Sequence, residues 1–162
     1  MRHKLILLRH GHATFEGSSD FLRPLSTAGR EAIRRTARHL KPYLPNSGIA
    51  ILSSDTLRTR ESADILAQEC HIDRSFIHTD CELYGATPGL WLKKIPAFLH
   101  NVPVAALIAI GHNPAMSQLL AILTGKTIHM HTGACAVTDT EWKDDQLVLP
   151  ATLVDYFDPN KG

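Results

Sequence analysis

The sequence is poor in the features that mark most specialised protein classes. Only three cysteines, Cys70, Cys81 and Cys135, occur among 162 residues. They are odd in number and widely spaced, which excludes a disulfide framework and leaves no metal-ligand pattern. No apolar run approaches the roughly 20 residues of a membrane span. Leu5 to Leu8 is too short for a signal-peptide core and Arg9 ends it, so a cytoplasmic protein is expected. No charge of one sign dominates: the formal net charge is +1, and no basic field points to nucleic acid. Repeats, low-complexity stretches and linkers are lacking too. What is present is an ordinary globular composition, 44% hydrophobic and 20% charged, in a length that suits one domain over residues 1–162. The one abundance is histidine, with ten.

Short apolar runs alternate with helical periodicity. Lys4 to Leu8, Ile49 to Leu52 and Val104 to Ile110 read as strands buried on both faces. Phe76 to His78 reads as a short strand. Ala134 to Thr140 and Leu147 to Val154 read as late strands, with Pro150 placing the second at an edge or a bulge. Ser26 or Thr27 caps a helix through Ile33, Ala37 and Leu40, and Pro42 stops it. Ser54 and Asp55 cap a helix to about Gln68, and Pro88 opens another through Trp91, Ile95 and Leu99. Asn113-Pro114 caps one more, which Gly125 ends. This alternation predicts an α/β fold in three layers, a mostly parallel central sheet with helices on both faces.

In such sheets ligands bind beyond the carboxyl ends of the strands. Arg9-His10-Gly11 stands at one such end and Gly111-His112-Asn113 at another. Ser53-Ser54-Asp55, followed by Arg58, opens a helix after a third. Arginine forks match phosphate oxygens, and a helix start adds backbone donors, so these segments predict a phosphate cradle. A neutral imidazole inside it can attack phosphorus, and neighbouring cations lower its pKa. The second histidine, if protonated, can stabilise charge on the transferring group. The arginines supply positive charge, so no metal or other cofactor is expected. His12 reads as a loop residue near the pocket edge, His129 and His131 lack further ligands for a metal, and Trp91 and Trp142 read as packing residues.

"LLRHGHA", "RPLSTAGREA", "LSSDTLRTRESADIL" and "IAIGHNPAMSQLL" resemble the histidine phosphatase, or phosphoglycerate mutase-like, superfamily over nearly the whole chain. The specific part is the combination of RHG, S-x-x-x-R-x-x-x-[ST]-A and a downstream GH after a strand. The resemblance implies that His10 is the phosphorylated nucleophile, that Arg9, Arg58 and Gly11 bind the phosphoryl group, and that His112 completes the pocket. Asp55 replaces the usual proline and Ser62 the usual threonine. Arg60 rivals Arg58, and the motif register favours Arg58.

About two dozen residues separate the Phe76 and Val104 strands, which leaves no room for a large helical cap. A shallow, open site is therefore expected, one that accepts a phosphorylated side chain on another protein better than a small metabolite. The compact length, "SSDFLRPLSTAG" and "CELYGATPGLWL" resemble the SixA-type phosphohistidine phosphatases. That resemblance implies hydrolysis of phosphohistidine on a partner such as a histidine phosphotransfer domain. Asp20 and Arg23 fall in its D-x-x-R-P-L stretch, where Arg23 either lines the pocket rim or is held structurally by Asp20. Glu82 lies where mutase-like members carry a general acid; the alternative is a surface carboxylate. An imidazole leaving group weakens the need for that acid, because it titrates near neutral pH. Two other functions stay open: a phosphatase for small phosphomonoesters, which needs Glu82 or Asp20 as acid, and a module that binds phosphoproteins without turnover. No large apolar surface pattern is left unexplained, so a monomer is expected.

Overall fold

Alternation along the first strand sets the architecture. The computed structural model describes residues 2–161. Among these, six strands form one sheet: β1 (Arg2–Arg9), β2 (Ile49–Ser54), β3 (Ile77–Asp80), β4 (Ala106–Gly111), β5 (Cys135–Lys143) and β6 (Gln146–Phe157). Successive side chains of a strand point to opposite faces. In β1, Leu5 and Leu7 belong to one buried cluster, Ile6 and Leu8 to the other. Both faces therefore need helical cover. Helices α1 (Thr27–Leu40) and α2 (Leu57–Cys70) cover the Ile6 face through Ile33, Ala37, Leu40, Ala63 and Leu66. Helices α3 (Pro88–Asn101) and α4 (Ala115–Thr124) cover the Leu5 face through Trp91, Ile95, Leu99, Met116 and Leu119. This is the three-layer α/β arrangement that the alternation predicts, without a large cap. No helix among the described residues is long and apolar enough to cross a membrane.

The strand order is β3-β2-β4-β1-β5-β6. Pairings β1–β4, β2–β4 and β2–β3 are parallel, whereas β5 and β6 join antiparallel. The β6 strand lies at the edge, where the missing N–H of Pro150 is tolerated, and the β5–β6 register shifts between Asp139 and Glu141. Register in the centre is what builds the site. Arg9 pairs with Gly111, so the residues that follow, His10 and His112, leave adjacent parallel strands at the same end.

Local caps differ from the sequence expectation at two helices. The α2 N-cap is Thr56, whose side chain accepts from the Thr59 N–H, rather than Ser54 or Asp55. Ser54 is the last residue of β2, and its hydroxyl turns to His112 instead. At α4, Pro114 occupies the cap position and the helix opens at Ala115. The Asn113 side chain still receives the Ser117 N–H at 3.1 Å, so it satisfies a first-turn donor from one residue further out. Gly125 ends α4 with φ 74°, the left-handed conformation that glycine adopts without Cβ strain.

Candidate functional site

A crevice of about 290 Å³ opens at the carboxyl ends of β1 and β4, with Arg9, His10, Arg23, Arg58 and His112 among its lining residues. The rings of His10 and His112 stand 5.1 Å apart, centroid to centroid. Arg58 reaches the same place from the first turn of α2, and its side chain is only 7% exposed. On the rim, the Arg23 guanidinium lies 4.3 Å from the centre of the Phe15 ring, and Phe15 itself is 87% exposed. The crevice thus runs from buried His10 and Arg58 to a rim that carries an exposed aromatic.

His10 is buried, and one hydrogen bond sets its tautomer. Its Nδ1 lies 2.7 Å from the Gly11 carbonyl oxygen, which can only accept. Nδ1 therefore carries the proton, and Nε2 keeps the lone pair. Burial pushes the His10 pKa down to about 3; the Gly11 carbonyl opposes this, and His112, Arg58 and Arg9 add to it. The ring is neutral near pH 7, as a nucleophilic imidazole must be. Gly11 itself has only backbone groups to offer. Its N–H donates to Ser62 Oγ at 3.1 Å and its carbonyl accepts from His10. Gly11 therefore orients the His10 ring.

His112 Nε2 lies 2.8 Å from Ser54 Oγ. Burial lowers its pKa to about 4, with Arg58 and Arg9 acting in the same sense and Asp20 against them. The second histidine is thus neutral near pH 7, and a bound anion would favour its protonation. Arg9 donates from Nη1 to the Met130 carbonyl at 3.0 Å, which aligns the fork, and its buried Nε has no partner among the described residues.

A sequence model of the histidine phosphatase superfamily (branch 1) matches residues 5–94. The chain belongs to the histidine phosphatase superfamily. No curated protein sequence matches it significantly. In fold it is similar to the protein histidine phosphatase SixA complexed with tungstate, with a TM-score of 0.79 at 24% identity over 98% of this chain and 97% of that one. A SixA protein of Agrobacterium tumefaciens superposes with a TM-score of 0.78 at 26% identity, over 96% of this chain and 97% of its own. A mycobacterial glucosyl-3-phosphoglycerate phosphatase is more distant, with a TM-score of 0.66 at 16% identity over 95% of this chain and 98% of that one. The compact SixA-type architecture is thus the better structural match.

Within this histidine phosphatase chain, Glu82 does not reach the crevice. The short 3-10 turn Cys81–Leu83 buries Leu83 and turns Glu82 outward, where its carboxylate pairs with Lys94 at 3.1 Å. Asp20 does reach the site, as a partner of Arg58. Arg58 donates from Nη1 to the Asp20 carbonyl at 2.7 Å and from Nη2 to its Oδ2 at 3.2 Å. Arg23 both lines the crevice and holds Asp20 Oδ1 at 3.1 Å, so the two roles considered for it coexist. Arg60 instead donates from Nε to the Asp55 carbonyl on the exposed side of α2. His12 lines the crevice edge and bonds to Ser26 Oγ at 2.9 Å, while His131 pairs with Asp158.

Tyr84 is a site residue that no motif in the sequence marks. Its hydroxyl donates to Asp20 Oδ2 at 2.5 Å, and its ring lies 5.6 Å from that of His112. No spacing rule connects positions 20 and 84; the only signal was its place beside Glu82 in "CELYGATPG".

Proposed function

We propose that this protein is a phosphohistidine phosphatase acting on a histidine displayed by another protein. The observation that carries the reading is the state of the two nearby carboxylates. Glu82 is committed to Lys94 outside the crevice. Asp20 is held ionised, well below the usual carboxylate range, by the Tyr84 hydroxyl, by Arg23 and by Arg58. Glu82 is thus out of place, and Asp20 without a proton, to serve an alkoxide leaving group, which needs a general acid in the crevice. An imidazole needs no such help, because it can leave already protonated at neutral pH.

In the proposed reaction His10 Nε2 attacks the phosphorus of the substrate phosphohistidine. The P–N bond to the substrate breaks, its electron pair stays on the departing imidazole, and a P–N bond to His10 forms. The bond made and the bond broken are alike, so this transfer is close to thermoneutral. Water then attacks phospho-His10; the P–N bond breaks, the electron pair returns to Nε2, and orthophosphate leaves with the water oxygen. Arg9 and Arg58 balance charge on the phosphoryl oxygens in both steps, and His112 donates once an anion has raised its affinity for a proton. The rim supports a protein-borne substrate, since it presents an exposed aromatic, Phe15, beside Arg23.

The test compares a phosphohistidine-bearing phosphotransfer domain, an alkyl phosphomonoester and p-nitrophenyl phosphate, in chelator-treated buffer, with wild type and His10→Ala. The expected result is fast loss of protein phosphohistidine, abolished in His10→Ala and indifferent to chelator. Alkyl ester turnover should be lower by orders of magnitude. Comparable kcat/KM on the alkyl ester would move the assignment to a small-ester phosphatase. Phosphate binding without turnover of any substrate would leave a binding module.

A further inference from the structure

Arg58 enters the crevice already facing an anion. Both of its terminal nitrogens donate to Asp20, one to the main-chain carbonyl and one to the carboxylate. That carboxylate is held from the other side as well. Tyr84 donates to Oδ2 at 2.5 Å and Arg23 Nη1 to Oδ1 at 3.1 Å. Arg23 is itself anchored, donating from Nε to the Thr14 carbonyl at 2.9 Å. Asp20 is therefore a fixed negative charge beside a buried guanidinium. It does not close the site, because each Nη of a guanidinium carries a second N–H. Its effect on a bound phosphoryl group is through charge: an incoming dianion meets Arg9 and Arg58 but also a carboxylate that offsets one of them.

We propose that Asp20 sets the anion affinity of the crevice: its carboxylate, clamped by Tyr84 and Arg23, is a standing counter-charge to Arg58 that weakens the hold on orthophosphate and so favours its release. This rests on the reading that Arg58 receives the phosphoryl group. A bare nest of two arginines would retain the product. With Asp20 in place, free phosphate binds weakly, and a phosphorylated protein gains the rest of its affinity from contacts at the exposed rim.

The sign of one measurement decides it. Orthophosphate binding is measured by calorimetry in wild type, Asp20→Asn and Asp20→Ala, with sulfate and perchlorate as tetrahedral anions of two and one charges. The expected result is binding of orthophosphate about tenfold tighter in both variants, with sulfate gaining more than perchlorate. If Asp20 merely positions Arg58, binding will be unchanged or weaker, or both anions will shift alike; any of these overturns the proposal. The alanine variant guards against an asparagine amide that re-pairs with its neighbours. Because binding is read without turnover, the outcome is separable from the phosphatase reading. Tighter anion binding in the variants of a protein that hydrolyses no phosphohistidine would keep this inference and remove that one.

Discussion

At His10, a single carbonyl decides which nitrogen keeps its lone pair. The Gly11 carbonyl accepts a hydrogen bond from Nδ1–H, so Nε2 is left with its lone pair, and burial keeps the ring uncharged. The residues around it divide by whether they meet the crevice or turn from it. Arg58 is buried against the site, and Arg58→Ala should lower kcat/KM on phosphohistidine about 10²- to 10³-fold, the usual cost of removing one preorganised donor from a developing charge. Glu82 is paired with Lys94 on the outer surface. Glu82→Gln should therefore leave kcat/KM within about twofold, since an exposed ion pair contributes little. Steady-state kinetics on the two variants checks both; a large loss in Glu82→Gln would restore that residue as an acid.

At the scale of elements, three strand ends and one helix start must converge. The segment between β1 and α1 is tied down at several points. Thr14 N–H donates to the Pro24 carbonyl at 2.9 Å, Ser26 N–H to the His12 carbonyl at 2.9 Å, and Leu25 N–H to Glu61 Oε1 on α2 at 2.9 Å. Gly29 lets α1 approach this segment so closely that an added Cβ would lie 2.1 Å from the His12 carbonyl oxygen. Neither atom is the end of a flexible side chain, so the backbone itself would have to move. Gly29→Ala should destabilise the protein by about 1–3 kcal/mol, as overpacking does. It should also lower activity by shifting the segment that carries Asp20 and Arg23. Urea denaturation alongside turnover measures this; an unchanged midpoint would mean that α1 is free to slide.

For the molecule as a whole, the crevice has a cost that depends on pH. His10 and His112 titrate at about 3 and about 4 when folded, against about 6.5 in an unfolded chain. Between those values the unfolded state binds more protons, so stability rises with pH there. The cost is absent above about pH 6.5 and grows as the pH falls towards 4. Facing these rings are Arg9, Arg58, Asp20, Tyr84 and Ser54, of which Asp20 alone favours protonation of His112. Thermal denaturation from about pH 8 to 4 should show a falling Tm below about 6.5, and a His10→Gln, His112→Gln double variant should show a shallower fall. Parallel curves would place the acid sensitivity elsewhere.

The layered α/β architecture and the meeting of Arg9, His10 and His112 were legible in the sequence because both follow from local pattern, whereas Arg58 was preferred to Arg60 through the resemblance to the superfamily motif. Fully apolar strands demand helices on two faces, and ligand-facing residues follow directly after strands whose ends are predictable. The boundaries missed lie where a polar side chain had two possible partners. Ser54 could have capped α2, but its hydroxyl meets His112 across the sheet, and Thr56 serves as cap instead. Glu82 shows the same limit: its place in the chain suggested an acid, but the turn that buries Leu83 sends its carboxylate to Lys94. Tyr84, Asp20 and Arg58 come from three separate segments, and no periodicity links them. Sequence by itself determined the strand ends and the residue types delivered there, since those depend on neighbours along the chain. Only the tertiary structure decided which protons and charges those residues hold, because burial and long-range partners set them.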